Sequence, residues 1–246
     1  MCGRFVVAKA SSDLAVEFDI DRVSDTEFTP SYNIAPTTSV PVIVQAPAPA
    51  EEVDTYGPGP IRRLEVAKWG LVPGWARDAS VASRAFNARS ETAAVKPTFR
   101  AAVKRRRAVI PASGYYEWQT GADGTKQPYY VHPAEGGADA SLCFAGLYEW
   151  WQNPEGEWLL STTILTREAP AGRMRELHHR IPVFCTAADI DEWCDPALAG
   201  SAELVADFAE RSLALTDSLA LRAVDRRVGN VRERGPELIA PMADPA

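Results

Sequence analysis

Cysteine and histidine are scarce in this chain, with four of the first and three of the second among 246 residues. The cysteines, Cys2, Cys143, Cys185 and Cys194, form no CxxC pair and no zinc-finger spacing, so neither a disulfide framework nor a structural zinc site is indicated. Cys143 and Cys194 sit in apolar surroundings and read as buried packing residues. Long apolar runs are missing as well. Val40 to Val44 and Ser141 to Leu147 fall far short of the roughly 20 residues a membrane span requires. The N-terminus lacks the basic stretch and apolar core of a signal peptide. The expectation is a cytoplasmic protein with no membrane partner. Surplus positive charge is absent: 26 basic residues against 33 acidic ones leave a formal charge of −7, so the molecule as a whole repels nucleic acid. Any such partner has to be met by a local patch. No internal repeat occurs, and no low-complexity tract beyond the Pro/Ala-rich stretch near Pro47. A single domain over 1–246 is therefore expected.

What the chain does contain is ordinary for a folded protein, with 46% hydrophobic and 24% charged residues. Ser11 or Ser12 can cap a short helix in which Leu14, Ala15 and Phe18 recur at helical spacing. Strands are predicted at Val40 to Val44, Leu64 to Trp69, Ala108 to Pro111, Tyr115 to Gln119, Pro128 to His132, Leu142 to Trp150 and Trp158 to Leu165, all rich in β-branched and aromatic residues. Between the first two, Ala46 to Pro60 reads as a surface loop. Gly121 to Gly124 and Asn153 to Gly156 look like hairpin turns. Further helices are predicted at Thr98 to Arg106, at Ala187 to Cys194, and at Ala202 to Leu213 behind a Ser201 cap. The predicted class is α+β: a curled or barrel-like antiparallel β core decorated by helices.

Basic residues do concentrate, in Arg84, Arg89, Lys96, Arg100 and the run Lys104 to Arg107. Taken alone, such a run is a solvated helix face more often than a nucleic-acid patch. The two adjacent histidines, His178 and His179, could suggest a metal clamp, but neighbouring side chains usually diverge, so neither a metal nor another cofactor is expected. Cys2 stands apart. A small residue at position 2 permits removal of Met1 and leaves an N-terminal cysteine bearing two nucleophiles. Its α-amine, with a reference pKa of about 7.7 to 8.0, is substantially neutral near neutral pH. Such an amine forms a Schiff base with an aldehyde, and the thiol can close on the imine carbon to a five-membered thiazolidine. By itself, Cys at position 2 is a weak signal.

The wider pattern is specific. Met1 to Phe5 (MCGRF), Tyr32 to Thr37 (YNIAPT), Trp69 to Trp75 (WGLVPGW), Asn87 to Thr92 (NARSET), Gly114 to Trp118 (GYYEW), His178 to Val183 (HHRIPV) and Val228 to Val231 (VGNV) together resemble the SOS-response-associated peptidase family. The motifs follow in family order through most of the chain. His179 stands where the family carries an acidic residue, and Ile181 where Met or Arg is usual.

The resemblance implies a protein that senses and shields abasic sites in single-stranded DNA by crosslinking itself to them, with lyase-like Schiff-base chemistry. The peptidase name refers to removal of whatever precedes the cysteine. Residue by residue, it implies Cys2 as nucleophile, Asn87 as its positioner, Glu117 as general acid/base and His178 as an aid to sugar-ring opening. Without the resemblance, Glu117 reads as a strand carboxylate facing solvent. Arg4 and Arg89 are expected to hold phosphates flanking the lesion, since Arg does so bidentately. Asn33 serves either the site or a turn. Trp69, Pro73 and their neighbours Leu71 and Trp75, with Pro36, are either core or a stacking platform for unpaired bases. Asn230 is expected to fix a loop near the site. Partners implied are abasic single strands and, in prokaryotes, the nucleoid, with replication forks as the setting. Two other classes compete: a thiol peptidase or amidohydrolase acting on other proteins, and a noncovalent single-strand binder in which Cys2 is incidental.

Overall fold

The computed structural model describes residues 2–134 and 141–242. In chain order its strands are β1 (Phe5–Val7), β2 (Arg22–Val23), β3 (Ser31–Ile34), β4 (Ser39–Pro47), β5 (Pro60–Trp69), β6 (Asn87–Arg89), β7 (Arg107–Ala112), β8 (Gly114–Thr120), β9 (Lys126–Pro133), β10 (Leu142–Gln152), β11 (Trp158–Glu168), β12 (Arg180–Pro182), β13 (Phe184–Cys185) and β14 (Leu219–Ala223). The helices are α1 (Ser11–Glu17), α2 (Val53–Tyr56), α3 (Ser90–Ala93), α4 (Arg100–Arg105), α5 (Arg173–Leu177), α6 (Ile190–Cys194) and α7 (Ala202–Arg211).

Strands β11, β10, β7, β4 and β5 pair in succession, and β5 then returns to β11, so the five close on themselves. Closure is parallel, with Ser161 opposite Lys68 and Thr162 opposite Trp69. The barrel expectation holds, but the ladder is mixed rather than wholly antiparallel: β6 also runs parallel to β11, and β2 to β5. Closure removes the unpaired edges that an open sheet of this length would expose. A second sheet, ordered β14–β9–β8–β1–β3, lies beside the barrel. Phe5 of β1 joins the two by packing edge-on against Trp69 and Phe144 of the barrel. One large apolar cluster results, and a smaller one, built from Val6, Tyr116, Tyr130, Val224, Val228 and Leu238, buries the other face of the second sheet.

Several local expectations are met. The two hairpin turns join β8 to β9 and β10 to β11, and the Ser201 hydroxyl accepts from the Leu204 N–H at the start of α7. Others are corrected. Ser11 begins α1 instead of capping it; its buried hydroxyl accepts from the Phe28 N–H, while Asp13 takes the Ala10 N–H. The stretch expected as loop from Ala46 to Pro60 contains α2. The helix expected from Thr98 begins only at Arg100 and gives way to strand at Arg107.

That last change reverses the reading of the basic run. Arg107 is 1% exposed, and its guanidinium donates to the carbonyls of Val103, Lys104, Trp193, Asp195 and Leu198. Five carbonyl oxygens replace the water a buried cation loses, so this charge ties the α6 region to the barrel. Arg106 pairs with Glu149 at 2.6 Å, which leaves Lys104 and Arg105 as the exposed half of the run.

Candidate active site

Strand β11 organises one side of the site. At Thr166 it pairs on one edge with Arg89 of β6 and on the other with Pro182 of β12. The same strand therefore fixes both Asn87 and the segment that carries His178. Strand β1 organises the opposite side, where Phe5 lies across from Tyr115 and the Tyr116 N–H donates to the Arg4 carbonyl at 2.9 Å. This register places Cys2 just upstream of β1 and Glu117 on β8. Four segments distant in sequence thus bring Cys2, Asn87, Glu117 and His178 together.

Asn87 Nδ2 donates to the Cys2 carbonyl at 2.7 Å. Its Oδ1 is buried and has no hydrogen-bond partner among the described residues. Cys2 is fully buried, and its thiol pKa is pushed well above the usual range by that burial and by the Glu117 charge, with the Arg4 N–H acting the other way. Glu117 is 5% exposed, and burial raises its carboxyl pKa, against the Trp118 N–H bond and the nearby His179. His178 Nδ1 lies 3.8 Å from Glu117 Oε2. Burial lowers the His178 pKa, so the ring is neutral at neutral pH. His178 Nδ1 lies against the Arg180 main chain, 3.0 Å from its N–H and 3.1 Å from its carbonyl oxygen, so that backbone sets the orientation of the ring. The His178 and His179 rings do not diverge; their centroids are 4.2 Å apart.

Two motif glycines serve close approach. A Cβ at Gly70, where φ is +138°, would stand 2.3 Å from the Ala82 carbonyl oxygen, so the turn after Trp69 tolerates no side chain. At Gly114 it would strike the Tyr130 ring at 2.5 Å, whose hydroxyl donates to the Ser113 carbonyl.

The residues expected along a DNA path separate. Asn33 is 3% exposed and spends both polar atoms inside the protein: Oδ1 accepts from Arg4, and Nδ2 donates to the carbonyls of Val228, Asn230 and Glu233. It holds the 228–233 loop. Arg4 donates to Asn33, to the Val228 carbonyl at 2.7 Å and to the Gly229 carbonyl at 3.3 Å, so part of its guanidinium is structural. Asn230 Oδ1 accepts from the Arg232 N–H and stabilises that loop locally, as expected. Trp69 is wholly buried, with Nε1 donating to the Phe86 carbonyl, and Leu71 and Pro73 are buried too. A stacked base cannot reach Trp69 or Pro73 in this packing, which corrects the platform reading for them. Trp75 of the same motif is 65% exposed, Pro36 is half-buried on the turn between β3 and β4, and Arg89 is exposed.

Sequence reasoning passed over Tyr115, which is buried and whose hydroxyl has no hydrogen-bond partner among the described residues. Burial, with the charges of Cys2 and Glu117 nearby, raises its pKa. The i, i+2 spacing from Glu117 on a strand was the available signal. It also passed over the Arg180–Glu91 pair, both of whose members lie inside quoted motifs.

The arrangement is that of a protein whose second residue is enclosed by an amide, a carboxylate and an imidazole at the seam between a barrel and a second sheet. A family model described as SOS response associated peptidase (SRAP) matches residues 1–231, and the chain belongs to that family. The abasic site processing protein YoqW of Bacillus subtilis is 34% identical over 242 residues, covering 97% of this chain and 99% of that one. The abasic site processing protein HMCES of Gallus gallus is 30% identical over 236 residues, covering 87% of this chain and 67% of its own length. A solved protein of Bacteroides thetaiotaomicron shares the fold with a TM-score of 0.77 at 21% identity, over 98% of this chain and 100% of that one. No helix among the described residues is long and apolar enough to cross a membrane.

Proposed function

We propose that the protein processes abasic sites in single-stranded DNA by joining Cys2 covalently to the lesion's aldehyde. The observation that carries this reading is the enclosure of Cys2 by Asn87 at 2.7 Å together with the Glu117–His178 pair at 3.8 Å. Removal of Met1 exposes the Cys2 α-amine. The amine adds to C1′ of the ring-opened deoxyribose. Glu117, its pKa raised by burial, takes a proton from nitrogen and returns one to the departing hydroxyl, giving the imine and water. The Cys2 sulfur then adds to the imine carbon, its proton passes to nitrogen, and a thiazolidine closes. Aldehyde, amine and thiol are consumed and one water is released. His178 moves a proton during ring opening, and the unpartnered Oδ1 of Asn87 accepts a sugar hydroxyl.

Amine-first chemistry suits a thiol whose pKa is raised. A thiol peptidase needs the opposite, a thiolate stabilised by a basic neighbour, and the described contacts tie His178 to Arg180 and Glu117. Exposed Arg89, with the part of Arg4 not engaged in the fold, supplies charge for flanking phosphates, and Trp75 with Pro36 offers an apolar surface to unpaired bases. Single strands exposed at replication forks are the setting this reading implies. Incubation with abasic and intact oligonucleotides tests it: a denaturation-resistant shifted band on the abasic strand alone is expected, and its absence overturns the proposal. Intact mass lacking one methionine is expected for the reactive protein.

A further inference from the structure

The Arg180 side chain lies between the two halves of the site. It is buried, with its side chain 7% exposed, and it forks onto Glu91 through Nη1 at 2.7 Å and Nη2 at 3.0 Å. Nη2 also reaches the Thr166 carbonyl and, at 3.2 Å, the Thr166 hydroxyl. Glu91 is the second residue of α3, four residues after Asn87, and Thr166 is the β11 residue flanked by both β6 and β12. Although partial burial raises the Glu91 pKa, the Arg180 bonds outweigh it and hold that carboxyl below its ordinary range. The backbone of the same Arg180 meets His178 Nδ1 through its N–H at 3.0 Å and its carbonyl oxygen at 3.1 Å.

From this geometry we infer that Glu91 and Arg180 are positioning residues for His178: the ion pair locks the start of β12, and the Arg180 main chain thereby fixes the setting of the His178 ring against Glu117. A bidentate pair anchored at a third point has one low-energy geometry, whereas a single bond to a long side chain has many. Removal of Glu91 frees the guanidinium to turn, lets β12 shift at its first residue, and loosens the main-chain contact that sets the His178 ring. A small displacement of a proton-transferring group costs rate far more than it costs stability. The same pair sets the spacing between the Asn87 and His178 segments, so it aligns the group that holds Cys2 with the group that moves protons.

The kinetic arm of the test rests on the function proposed above, and the spectroscopic arm does not. Ring nitrogen NMR of the unmodified protein should show His178 in a single, sharp state. Glu91→Ala should give exchange-broadened or multiple signals, and Glu91→Gln, which restores one acceptor, an intermediate spectrum. An unchanged His178 spectrum in Glu91→Ala overturns the inference. In single-turnover crosslinking, Glu91→Ala should slow the rate at saturating abasic DNA by on the order of tenfold, with half-saturation unchanged. In a His178→Ala background the same substitution should have no further effect on rate. A rate loss that persists in that background means Glu91 acts on the fold generally and refutes the positioning role. Should the unmodified protein form no adduct, the functional proposal fails, and the His178 spectrum still decides this one.

Discussion

Replacing Glu117 by Gln changes one charge and little else. The amide keeps the volume of the carboxylate and an Oε1 that can still accept from the Trp118 N–H, which now donates at 3.2 Å. What disappears is the ability to take and return a proton. Carbinolamine formation and dehydration both need that transfer, and positioned acid/base groups supply about 10² to 10⁴ in rate, or roughly 3 to 5 kcal/mol of barrier at 1.36 kcal/mol per tenfold. Stability should move the other way. Burial raises the Glu117 pKa, so the native state binds its proton more tightly than the unfolded chain does. Ionising Glu117 therefore costs native stability once pH rises above the ordinary carboxylate value, and the cost is fully developed above the folded pKa. Each unit of such a shift is worth about 1.4 kcal/mol. Gln carries no such cost, so Glu117→Gln should melt at or above the unmodified protein near pH 7, an advantage that shrinks as pH falls toward 4. Single-turnover crosslinking of an abasic oligonucleotide from pH 6 to 8, read on denaturing gels beside thermal melts, checks both limbs. Equal crosslinking rates across that range would refute the reasoning, as would a rate loss that merely tracks a lower melting temperature.

Cys2→Ser should leave the fold intact and keep an amine that forms a transient imine, so borohydride should trap an adduct that heat otherwise reverses; a heat-stable adduct without reductant would overturn thiazolidine closure. Arg4→Ala strips the hydrogen bonds to Asn33 and the 228–229 carbonyls and should cost about 2 kcal/mol or more in urea unfolding. Arg89→Ala should leave stability unchanged and flatten the salt dependence of capture by about 0.7 in log–log slope, one single-strand phosphate contact. Trp69→Ala should cost about 3 to 5 kcal/mol as a core truncation. Trp75→Ala should leave the melt unchanged and weaken capture only at limiting DNA, on the scale of about 1 to 3 kcal/mol for one stacked base.

How far the sequence could be read depended on how local the determining physics was. The hairpins β8–β9 and β10–β11 were legible because alternating β-branched and aromatic residues ran for a strand's length and stopped at Gly- and Asn-rich turns. Strands β6, β12 and β13 were not, since two or three residues carry no periodicity and owe their conformation to β10 and β11. Arg107 misled because a charge run looks solvated until five carbonyls from another part of the chain surround it. Trp69 and Trp75 share one motif and have opposite fates, one in the core and one 65% exposed; only closure of β5 onto β11 separates them. Asn33 was ambiguous for a similar reason, because its three carbonyl partners lie about 200 positions away. The site residues themselves came from motif order, and no local pattern would have assembled them.

The acidity of the chain and the depth of Cys2 become consistent once capture is covalent. A protein of formal charge −7 whose basic run is half consumed by structure is expected to hold single strands weakly, because noncovalent affinity rests on phosphate contacts and fades with salt. Weak holding suffices where a bond forms during the encounter, and it spares the protein from residing on undamaged strands. In the proposed reaction, burial would decide which nucleophile acts first. The raised thiol pKa keeps sulfur protonated and poorly reactive toward stray oxidants and electrophiles. An N-terminal amine, with its lower intrinsic pKa, is the group able to open the reaction near neutral pH. Only after the imine places an electrophilic carbon beside it does the thiol gain a partner, in an intramolecular step with high effective concentration. Under the proposed covalent capture, the burial that disfavours Cys2 as a peptidase nucleophile would favour it as a partner for an aldehyde.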